Sequence, residues 1–297
     1  MPARSVSVTG LPGSSRLAAD FAHAFQEASA FYQFSPFEPD SYVSAAASVQ
    51  YPAERRAALV EALGEQNPGH PSLETLASPG TLVVATGQQV GLFGGPAYTI
   101  YKALTAARLA RSLTEKGMPA VPVFWMATED HDLAEVSHAW VFDATHRPVR
   151  IETAGVENSQ RPVGLIPVGE GPVEGLREAL GGLPFAEEVL ALAEEAYAPG
   201  RSFGEGFRAL VSRLLGAYGV LFLDPLRPAV RKLAAPSLTQ AVAKIPELVG
   251  LLLARNRELE ARGYHAQVLV EESSTLLFTL DGERRTPLRA KNGAVPA

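Results

Sequence analysis

The feature that most limits how this chain can fold is a pair of short apolar runs separated by a glycine-rich turn and a helical pattern. Thr81 to Thr86 (TLVVAT) and Ala120 to Thr128 (AVPVFWMAT) have the length and composition of strands buried on both faces. From Ala97 to Glu115, apolar residues and alanines recur at helical spacing, and Gly117 ends that segment. Strand, helix and strand in this order predict a βαβ unit with parallel strands and a right-handed crossover.

Other segments extend this α/β pattern along the chain. A third buried strand is predicted from Gly219 to Asp224, and the Pro- and Gly-rich stretch from about Asp143 to Gly182 is expected to hold small antiparallel strands such as RPVRIET and RPVGLIPV. Gln267 to Leu280 alternates as a strand pair does, whereas the basic, turn-rich tail from Arg284 shows no clear element. Helices are predicted at Ala53–Gln66, Phe185–Ala198, Phe203–Ala217, Arg227–Lys244 and Glu247–Arg262.

Composition narrows the possible classes of function. The 297 residues include no cysteine, so thiolate nucleophiles, disulfides and Cys-ligated zinc are excluded. Lysine and arginine number 26 against 32 acidic residues, and without a long basic run neither a nucleic acid nor an anionic membrane surface is an expected partner. The first 30 residues lack a secretory leader pattern and no apolar run is long enough to cross a membrane, which predicts a cytoplasmic protein.

The first group of candidate site residues lies in TGQQVGLFGGP, Thr86 to Pro96, directly after the first predicted strand. Its glycines allow close backbone approach and positive φ, and the N–H groups of the following helix suit a phosphate or a carboxylate. The segment matches neither the P-loop nor the dinucleotide fingerprint, and a tight turn needed for packing is an equally good interpretation. Tyr98 and Lys102 share a helix face, so Lys102 is either a phosphate partner or a solvated lysine. The candidate ligand-binding residues are Gln88, Gln89, Gly91, Gly94, Gly95, Tyr98 and Lys102.

The second group follows the second predicted strand, where open parallel sheets place their ligand sites. Glu129, Asp130, His131 and Asp132 bring three carboxylates and one imidazole together, and we expect repulsion to raise at least one carboxyl pKa. His131 is the candidate general base or acid, with Asp130 or Asp132 orienting its ring. The alternatives are a capped helix N-terminus and a metal site that also uses His138, although the spacing matches no standard metal motif and no dedicated metal site is predicted.

Two further residues have structural interpretations that compete with functional ones. Trp125, within the second strand, is predicted to lie in the core rather than to serve as a stacking platform. Asp224, at the end of the third strand, is placed to accept hydrogen bonds from a ribose or an amine, or to cap the helix that follows.

Two long stretches around these groups resemble a known family. TGQQVGLFGGPAYTIYKALTAARLA (Thr86 to Ala110), followed by VPVFWMATEDHDLAEVSH (Val121 to His138), is similar to the hallmark region of the bacillithiol-synthesis cysteine-adding enzymes, the BshC family. Weaker similarity continues through GVLFLDPLRPAVRKLAAP (Gly219 to Pro236) and GYHAQV (Gly263 to Val268), so it covers most of the chain. Two motifs of this length in the same order are more specific than either one alone.

The resemblance implies a fold and a domain arrangement. The family has a Rossmann-like core similar to class I nucleotidyltransferases, with connecting-peptide insertions and a carboxyl-terminal coiled coil that forms a homodimer. Family members are longer than this chain, so we expect the coiled coil to be absent here. On this basis residues 1–142 form the first part of the core, 143–202 a connecting insertion, 203–246 the continuation of the core and 247–297 the start of a second connecting region.

The resemblance also implies an activity, the joining of cysteine to glucosaminyl-malate through an amide bond. Because a free carboxylate forms amides poorly in water, we expect ATP or another nucleotide, accompanied by Mg²⁺, to activate the cysteine carboxylate. The glycine segment then holds phosphates, and Glu129, Asp130, His131 and Asp132 form the opposite polar wall, from which His131 or a carboxylate takes the amine proton.

Two other functions stay open at this point. One is a metal-dependent hydrolase or transferase built on Glu129, Asp130, His131, Asp132 and His138. The other is a nucleotide- or sugar-binding protein without catalysis. A stoichiometric metal ion would support the first, and binding without turnover would support the second.

Overall fold

The computed structural model describes residues 9, 13–157, 160–281 and 284–289 of the chain. These residues fall into two compact units. The first, called the terminal unit here, takes its described residues from Met1–Tyr51, Ser237–Leu277 and Leu288–Ala297. The second, called the sheet unit, consists of Pro52–Pro236 and Phe278–Pro287. Every candidate site residue from the sequence lies in the sheet unit.

Helices and short strands follow one another along the described chain. The helices are α1 (Arg16–His23), α2 (Phe25–Ala28), α3 (Pro39–Ser48), α4 (Ala53–Gln66), α5 (Ser72–Ala77), α6 (Tyr98–Glu115), α7 (Leu133–Val136), α8 (Pro172–Leu180), α9 (Ala186–Ala196), α10 (Phe203–Leu215), α11 (Pro228–Ala243) and α12 (Ile245–Ala261). The strands are β1 (Leu82–Gln88), β2 (Ala120–Met126), β3 (His138–Phe142), β4 (Pro148–Glu152), β5 (Leu221–Leu223), β6 (Ser274–Asp281) and β7 (Arg284–Arg289). The predicted helices α4, α6, α9, α10, α11 and α12 are thereby confirmed within a few residues at each end.

A parallel sheet lies at the centre of the sheet unit, with the strands in the order β1-β2-β5. Leu82 pairs with Ala120 at one end of the first strand pair, and Gln88 pairs with Met126 at the other. Helix α6 connects these two strands and packs on both. The predicted α/β fold and its βαβ unit are confirmed.

Hydrophobic residues cover both faces of the sheet. On one face, Phe124 of β2 lies 6.0 Å, centroid to centroid, from both Phe222 of β5 and Phe207 of α10. On the other face, Val121 and Leu221 pack with residues of α4 and α5. All five side chains are less than a tenth exposed. Because truncating a buried phenylalanine typically costs about 3–5 kcal/mol, these contacts hold the strand ends in place.

The sequence predicted that β1 is buried on both faces and that Trp125 lies in the core, and both predictions were wrong. β1 is the edge strand of the described sheet, α6 covers one of its faces, and Val83 on the other is 42% exposed. Trp125 is also 42% exposed. Its neighbour across the strand pair is Gly87, which has no side chain to cover the indole, and a Cβ there would lie 2.7 Å from the carbonyl oxygen of Trp125.

The stretch predicted to hold small antiparallel strands, from about Asp143 to Gly182, contains one strand of such a pair, β4, and its partner β3 lies just before the stretch. β3 and β4 form an antiparallel hairpin, which confirms the prediction for RPVRIET. The prediction for RPVGLIPV was wrong, because Val163–Leu165 forms a 3-10 turn. The N–H groups of Val163 and Gly164 donate to the carbonyl oxygens of Asp130 at 2.6 Å and Thr128 at 2.9 Å, so this segment covers the end of β2 instead of extending the hairpin.

The strand pair predicted from Gln267 to Leu280 was also wrong. Only Ser274–Asp281 is extended, and its partner β7 lies in the tail for which no element was predicted. Upstream of β6, the carbonyl oxygen of Val268 accepts a hydrogen bond from the side chain of Asn256 at 2.8 Å, so it is not paired as in a strand. Residues 290–297 of the tail lie outside the described residues.

The length and hydropathy of the helices bear on membrane insertion. Over the described ranges, no single helix combines the length and the apolar composition of a membrane span, and α11 and α12 pass that test only as a bent pair. Residues 1–8 and 10–12, which belong to the segment predicted to lack a secretory leader, lie outside the described residues.

Candidate functional site

The carboxyl ends of the three parallel strands lie side by side at one edge of the sheet. Gln88 is the last residue of β1, Met126 ends β2 and leads into residues 127–132, and Asp224 follows β5. The two groups of candidate residues are therefore brought to the same edge.

Lys102 contacts several residues of the first candidate group, which lies in and after the glycine-rich segment. From α6, its ammonium donates to Oε1 of Gln88 at 2.8 Å and to the carbonyl oxygen of Gly87 at 3.2 Å. It also lies 5.5 Å from the ring centroid of Tyr98, whose hydroxyl accepts an N–H of Gln88 at 3.4 Å. Tyr98 is 49% exposed. The predicted shared face of Tyr98 and Lys102 is confirmed, and it carries a cation that solvent reaches.

The glycine segment folds back on itself and packs into the core. Phe93, Gly94 and Gly95 have φ values of 53°, 88° and 71°, and a Cβ at Gly91 would lie 2.9 Å from the Cα of Gly95. The buried ring of Tyr197 packs edge-on against Phe93 at 5.2 Å, and its hydroxyl donates to the carbonyl oxygen of Gly91 at 3.5 Å. Burial raises the pKa of Tyr197, so this hydroxyl remains a donor. Conformation and packing therefore account for these glycines, as the tight-turn interpretation predicts.

A hydrogen-bond network joins the segment to the second group. The side-chain amide of Gln89 donates to Oδ2 of Asp130, and the backbone N–H of His131 donates to Oδ1 at 2.7 Å. Arg285 of β7 lies over the ring of Phe278 and places its guanidinium 3.6 Å from the same Oδ1. Burial by itself raises the pKa of Asp130, but the two hydrogen bonds and the nearby positive charge outweigh it, so the pKa is lowered.

Arg285 also determines which nitrogen of His131 carries the proton. Its Nη1 lies 2.9 Å from Nδ1 of His131. Because a guanidinium has only donors, Nδ1 accepts this bond and the neutral ring carries its proton on Nε2. Oδ1 of Asp130, 3.3 Å from the same Nδ1, becomes its hydrogen-bond partner only when Nδ1 is protonated. In this arrangement His131 presents a donor at Nε2 rather than a base.

Glu129 is the carboxyl whose surroundings suit a proton acceptor. The indole N–H of Trp125 donates to its Oε1 at 3.3 Å, whereas its buried Oε2 has no hydrogen-bond partner among the described residues. Burial raises its pKa above the ordinary 4.5, against the opposing effects of its hydrogen bonds and of Arg285. Oε1 of Gln89 is likewise buried without a partner in the described part of the chain. Unsatisfied buried acceptors indicate a place for donors from a ligand or water.

The remaining acidic residues of this group have structural roles. Oδ1 of Asp132 accepts the N–H of Glu135 at 3.2 Å and caps α7, which confirms the cap interpretation for this residue. Burial first, and then the charges of Asp132 and Asp130, raise the pKa of Glu135, which lies outside the three carboxylates for which repulsion was predicted. His138 begins β3, and its Nδ1 lies 3.1 Å from the carbonyl oxygen of Ala134. In the ranges the structure describes, no three His, Asp or Glu side chains come close enough to hold a metal ion, so the metal-site alternative has no support.

Asp224 is tied to the end of β2 and to the turn after β5. Its Oδ1 accepts the hydroxyl of Thr128 and the N–H of Leu226, the latter at 3.0 Å, and its own N–H donates to Oε1 of Gln66 at 2.6 Å. Nε of Arg227 lies 3.5 Å from Oδ2. Internal partners therefore occupy both carboxylate oxygens.

Several residues enter this site that the sequence analysis did not place there. Arg285 comes from a tail predicted to lack an element, 154 positions from His131. Gln66 ends α4 and Tyr197 directly follows α9, both within predicted helical segments, but helical spacing alone does not show what their side chains contact. The one local signal is at Gln66, a polar residue at helical spacing from the apolar Ala62 and Leu63, with which it is buried at 2% exposure.

Comparisons with known proteins show the family of the chain. The sequence matches the family described as "Bacillithiol biosynthesis BshC, N-terminal Rossmann-like domain" over residues 1–295. Three curated relatives carry the name "Putative cysteine ligase BshC". The one from Solibacter usitatus is 49% identical over 284 residues, which cover 96% of this chain and 54% of the relative. The relative from Koribacter versatilis is 34% identical (97% and 55% covered), and that from Salinibacter ruber is 32% identical (86% and 48% covered). The chain spans about half the length of the curated relatives it matches.

Proposed function

The chain belongs to the BshC family, and on that premise we propose that it serves a cysteine ligase, which joins cysteine to glucosaminyl-malate through an amide bond. The observation that carries this proposal is that the carboxyl edge of one parallel sheet presents both an accessible cation, Lys102, and a carboxyl with a raised pKa, Glu129. Amide formation uses both, because negative charge develops on the departing group while the attacking amine loses a proton.

The nucleotide side of the proposal rests on Lys102 and its neighbours. ATP or another nucleotide, with Mg²⁺, would make the cysteine carboxylate displaceable by an amine. Gln88 and Tyr98 surround the Lys102 ammonium at the surface, which fits a phosphate. Gly91 and Gly94 are buried, so we assign phosphate contacts to the three side chains and not to these glycines.

In this proposal, Glu129 is the base that accepts the proton of the attacking amine. As the nitrogen bonds to the carboxyl carbon of cysteine, the activated oxygen leaves and one N–H proton is released. A carboxylate with a raised pKa accepts such a proton more readily than an ordinary one. His131 donates from Nε2 to a substrate oxygen, and Asp130, held by Gln89, keeps the ring and Arg285 in place.

The test is product formation from cysteine, glucosaminyl-malate and ATP, with bacillithiol followed by mass spectrometry. Glu129→Gln keeps an acceptor for the Trp125 indole but removes the base, and we expect a rate at least about 100-fold lower. His131→Ala should slow the reaction less. An unchanged rate in Glu129→Gln would refute the base assignment, and full product without nucleotide would remove the ATP part.

The same substitutions should also be tested in a full-length relative. If this chain forms no product but the relative from Solibacter usitatus does, a loss of activity in the relative's corresponding variants supports the site. Normal activity in those variants contradicts it.

A further inference from the structure

A cavity of about 700 Å³ lies in the sheet unit, bordered by the ends of β2 and β5 and by α10. Its lining is rich in arginine and includes none of the residues in the two candidate groups described above. The lining residues that matter here are Arg201, Arg208, Arg227, Asp224, Glu205 and Ser212. Three cations therefore face two carboxylates across one cavity.

Arg208 of α10 is the unusual member of this lining. It is partly buried, and among the described residues no carboxylate, hydroxyl or carbonyl oxygen accepts a hydrogen bond from its guanidinium. Burial lowers its pKa, the positive charge of Arg227 lowers it further, and Asp224 opposes both only in part. A desolvated cation beside a second cation is unfavourable unless an anion joins them.

The two carboxylates of the cavity do not supply that anion. Asp224 already accepts from the Thr128 hydroxyl and the Leu226 N–H, and its other oxygen lies 3.5 Å from Arg227. Glu205 is exposed, and its Oε2 accepts the N–H of Ser202 at 2.9 Å in the capping box of α10. Among the described residues, Arg208 therefore forms no ion pair or hydrogen bond with either carboxylate of the cavity.

We propose that this cavity is a binding site for a small molecule bearing an oxyanion, a carboxylate or a phosphate, which bridges Arg208 and Arg227. A guanidinium presents parallel N–H groups that match two oxygens of either anion. The cavity is large enough for more than the oxyanion, so the ligand is an anion-bearing metabolite rather than a lone inorganic ion. Binding here does not depend on the proposed ligase function.

The experiment measures direct binding by calorimetry at constant ionic strength. Inorganic phosphate and malate are titrated separately, so that phosphate and dicarboxylate sources of the same chemistry are distinguished. We expect saturable binding of at least one probe, weakened at least tenfold in Arg208→Met. The matched control is Arg213→Met, which removes an exposed arginine from the same helix and should bind as the wild type does.

The outcomes separate this site from the proposed catalytic one. Glu129→Gln should bind either probe with unchanged affinity, whatever its effect on product formation. Lys102→Met removes any phosphate binding at the proposed nucleotide site and should leave the binding that depends on Arg208 intact. If neither probe binds the wild type, or if Arg208→Met binds equally well, the proposal is overturned. Should Arg208→Met fail to fold in a circular dichroism melt, Arg227→Met carries the same expectation and the same power to refute it.

Discussion

At the scale of single residues, Glu129 links the site to pH. Burial raises its pKa in the folded protein above the ordinary 4.5, so the folded state holds this proton more tightly than the unfolded state. The stability contributed by this group is fully present below pH 4.5 and is lost as pH rises through the raised value. Glu129→Gln, which cannot ionise, should therefore gain stability relative to the wild type between pH 4 and pH 7. Melting temperatures at both pH values test this, with the exposed Glu195→Gln as the control that should show no such gain.

Gln89 makes the opposite kind of contribution, because it stabilises an ionised carboxylate. Its amide helps to keep the pKa of Asp130 lowered, so the associated stability is present above the ordinary 3.8 and is lost as pH falls through the lowered value. Gln89→Leu should cost about 1–2 kcal/mol at pH 7, the lower part of the range for bonds to charged groups, since Asp130 is 31% exposed. Urea unfolding at pH 7 and pH 3 measures the loss.

The pH dependence is the decisive part of that comparison. The cost of Gln89→Leu should be smaller at pH 3 than at pH 7, because the stability associated with the lowered pKa of Asp130 is lost as pH falls, and Gln88→Leu should cost little at either pH. An equal cost at both pH values would mean that Gln89 acts through packing and not through the charge of Asp130.

Sequence reasoning at this scale identified residue types and not their partners. Glu129, Asp130 and His131 became candidates because three charged groups directly follow a buried strand. The cap formed by Asp132 was likewise predictable, since capping is a local interaction. Arg285 was not predictable, because its contact with His131 spans 154 positions.

At the scale of elements, the glycine loop gives the sharpest expectation. A Cβ at Gly91 would lie 2.9 Å from the Cα of Gly95, and backbone atoms cannot swing away as a flexible side chain does. Gly91→Ala should therefore destabilise the protein by about 1–3 kcal/mol, as overpacking typically does. Gly64→Ala in α4 is the matched control, because a Cβ there would have no atom within 4 Å, and it should be neutral or stabilising by up to about 1 kcal/mol. Chemical denaturation measures the free energy of unfolding of both variants. An equal change in the two would contradict the close packing of the glycine loop.

Helices and strands were predictable from the sequence where the spacing of the apolar residues follows a single period. The alternation of strand and helix from β1 to β2 was correct because apolar period and length agree there. RPVGLIPV was wrong because its backbone N–H groups pair with the end of β2, a contact that outweighs the local preference of its branched residues. The burial of β1 was wrong because an apolar run does not reveal whether a strand lies at the edge of its sheet.

At the scale of the whole molecule, the sheet unit is built from two segments that are far apart in the sequence. Phe278–Pro287 belongs to the same compact unit as Pro52–Pro236, although more than 40 residues separate the two segments. Local patterns report none of this, since compact units are defined by contacts between distant residues. Local sequence patterns therefore did not indicate that Arg285 lies next to Asp130 and His131.

The unpaired charge of Arg208 links the stability of the molecule to anions. Without an oxyanion, the wild type carries a partly buried and repelled cation, so Arg208→Met should melt at or above the wild-type temperature. Phosphate at about ten times its Kd should stabilise the wild type by about 1.4 kcal/mol, which corresponds to roughly 3–6 °C for a chain of this size. The variant should gain almost nothing, so the order of the two melting temperatures should reverse as phosphate is added. Scanning calorimetry at matched ionic strength tests this reversal, with Arg213→Met expected to follow the wild type. Parallel rises in the wild type and Arg208→Met would instead indicate a general salt effect on burial, which acts without any site.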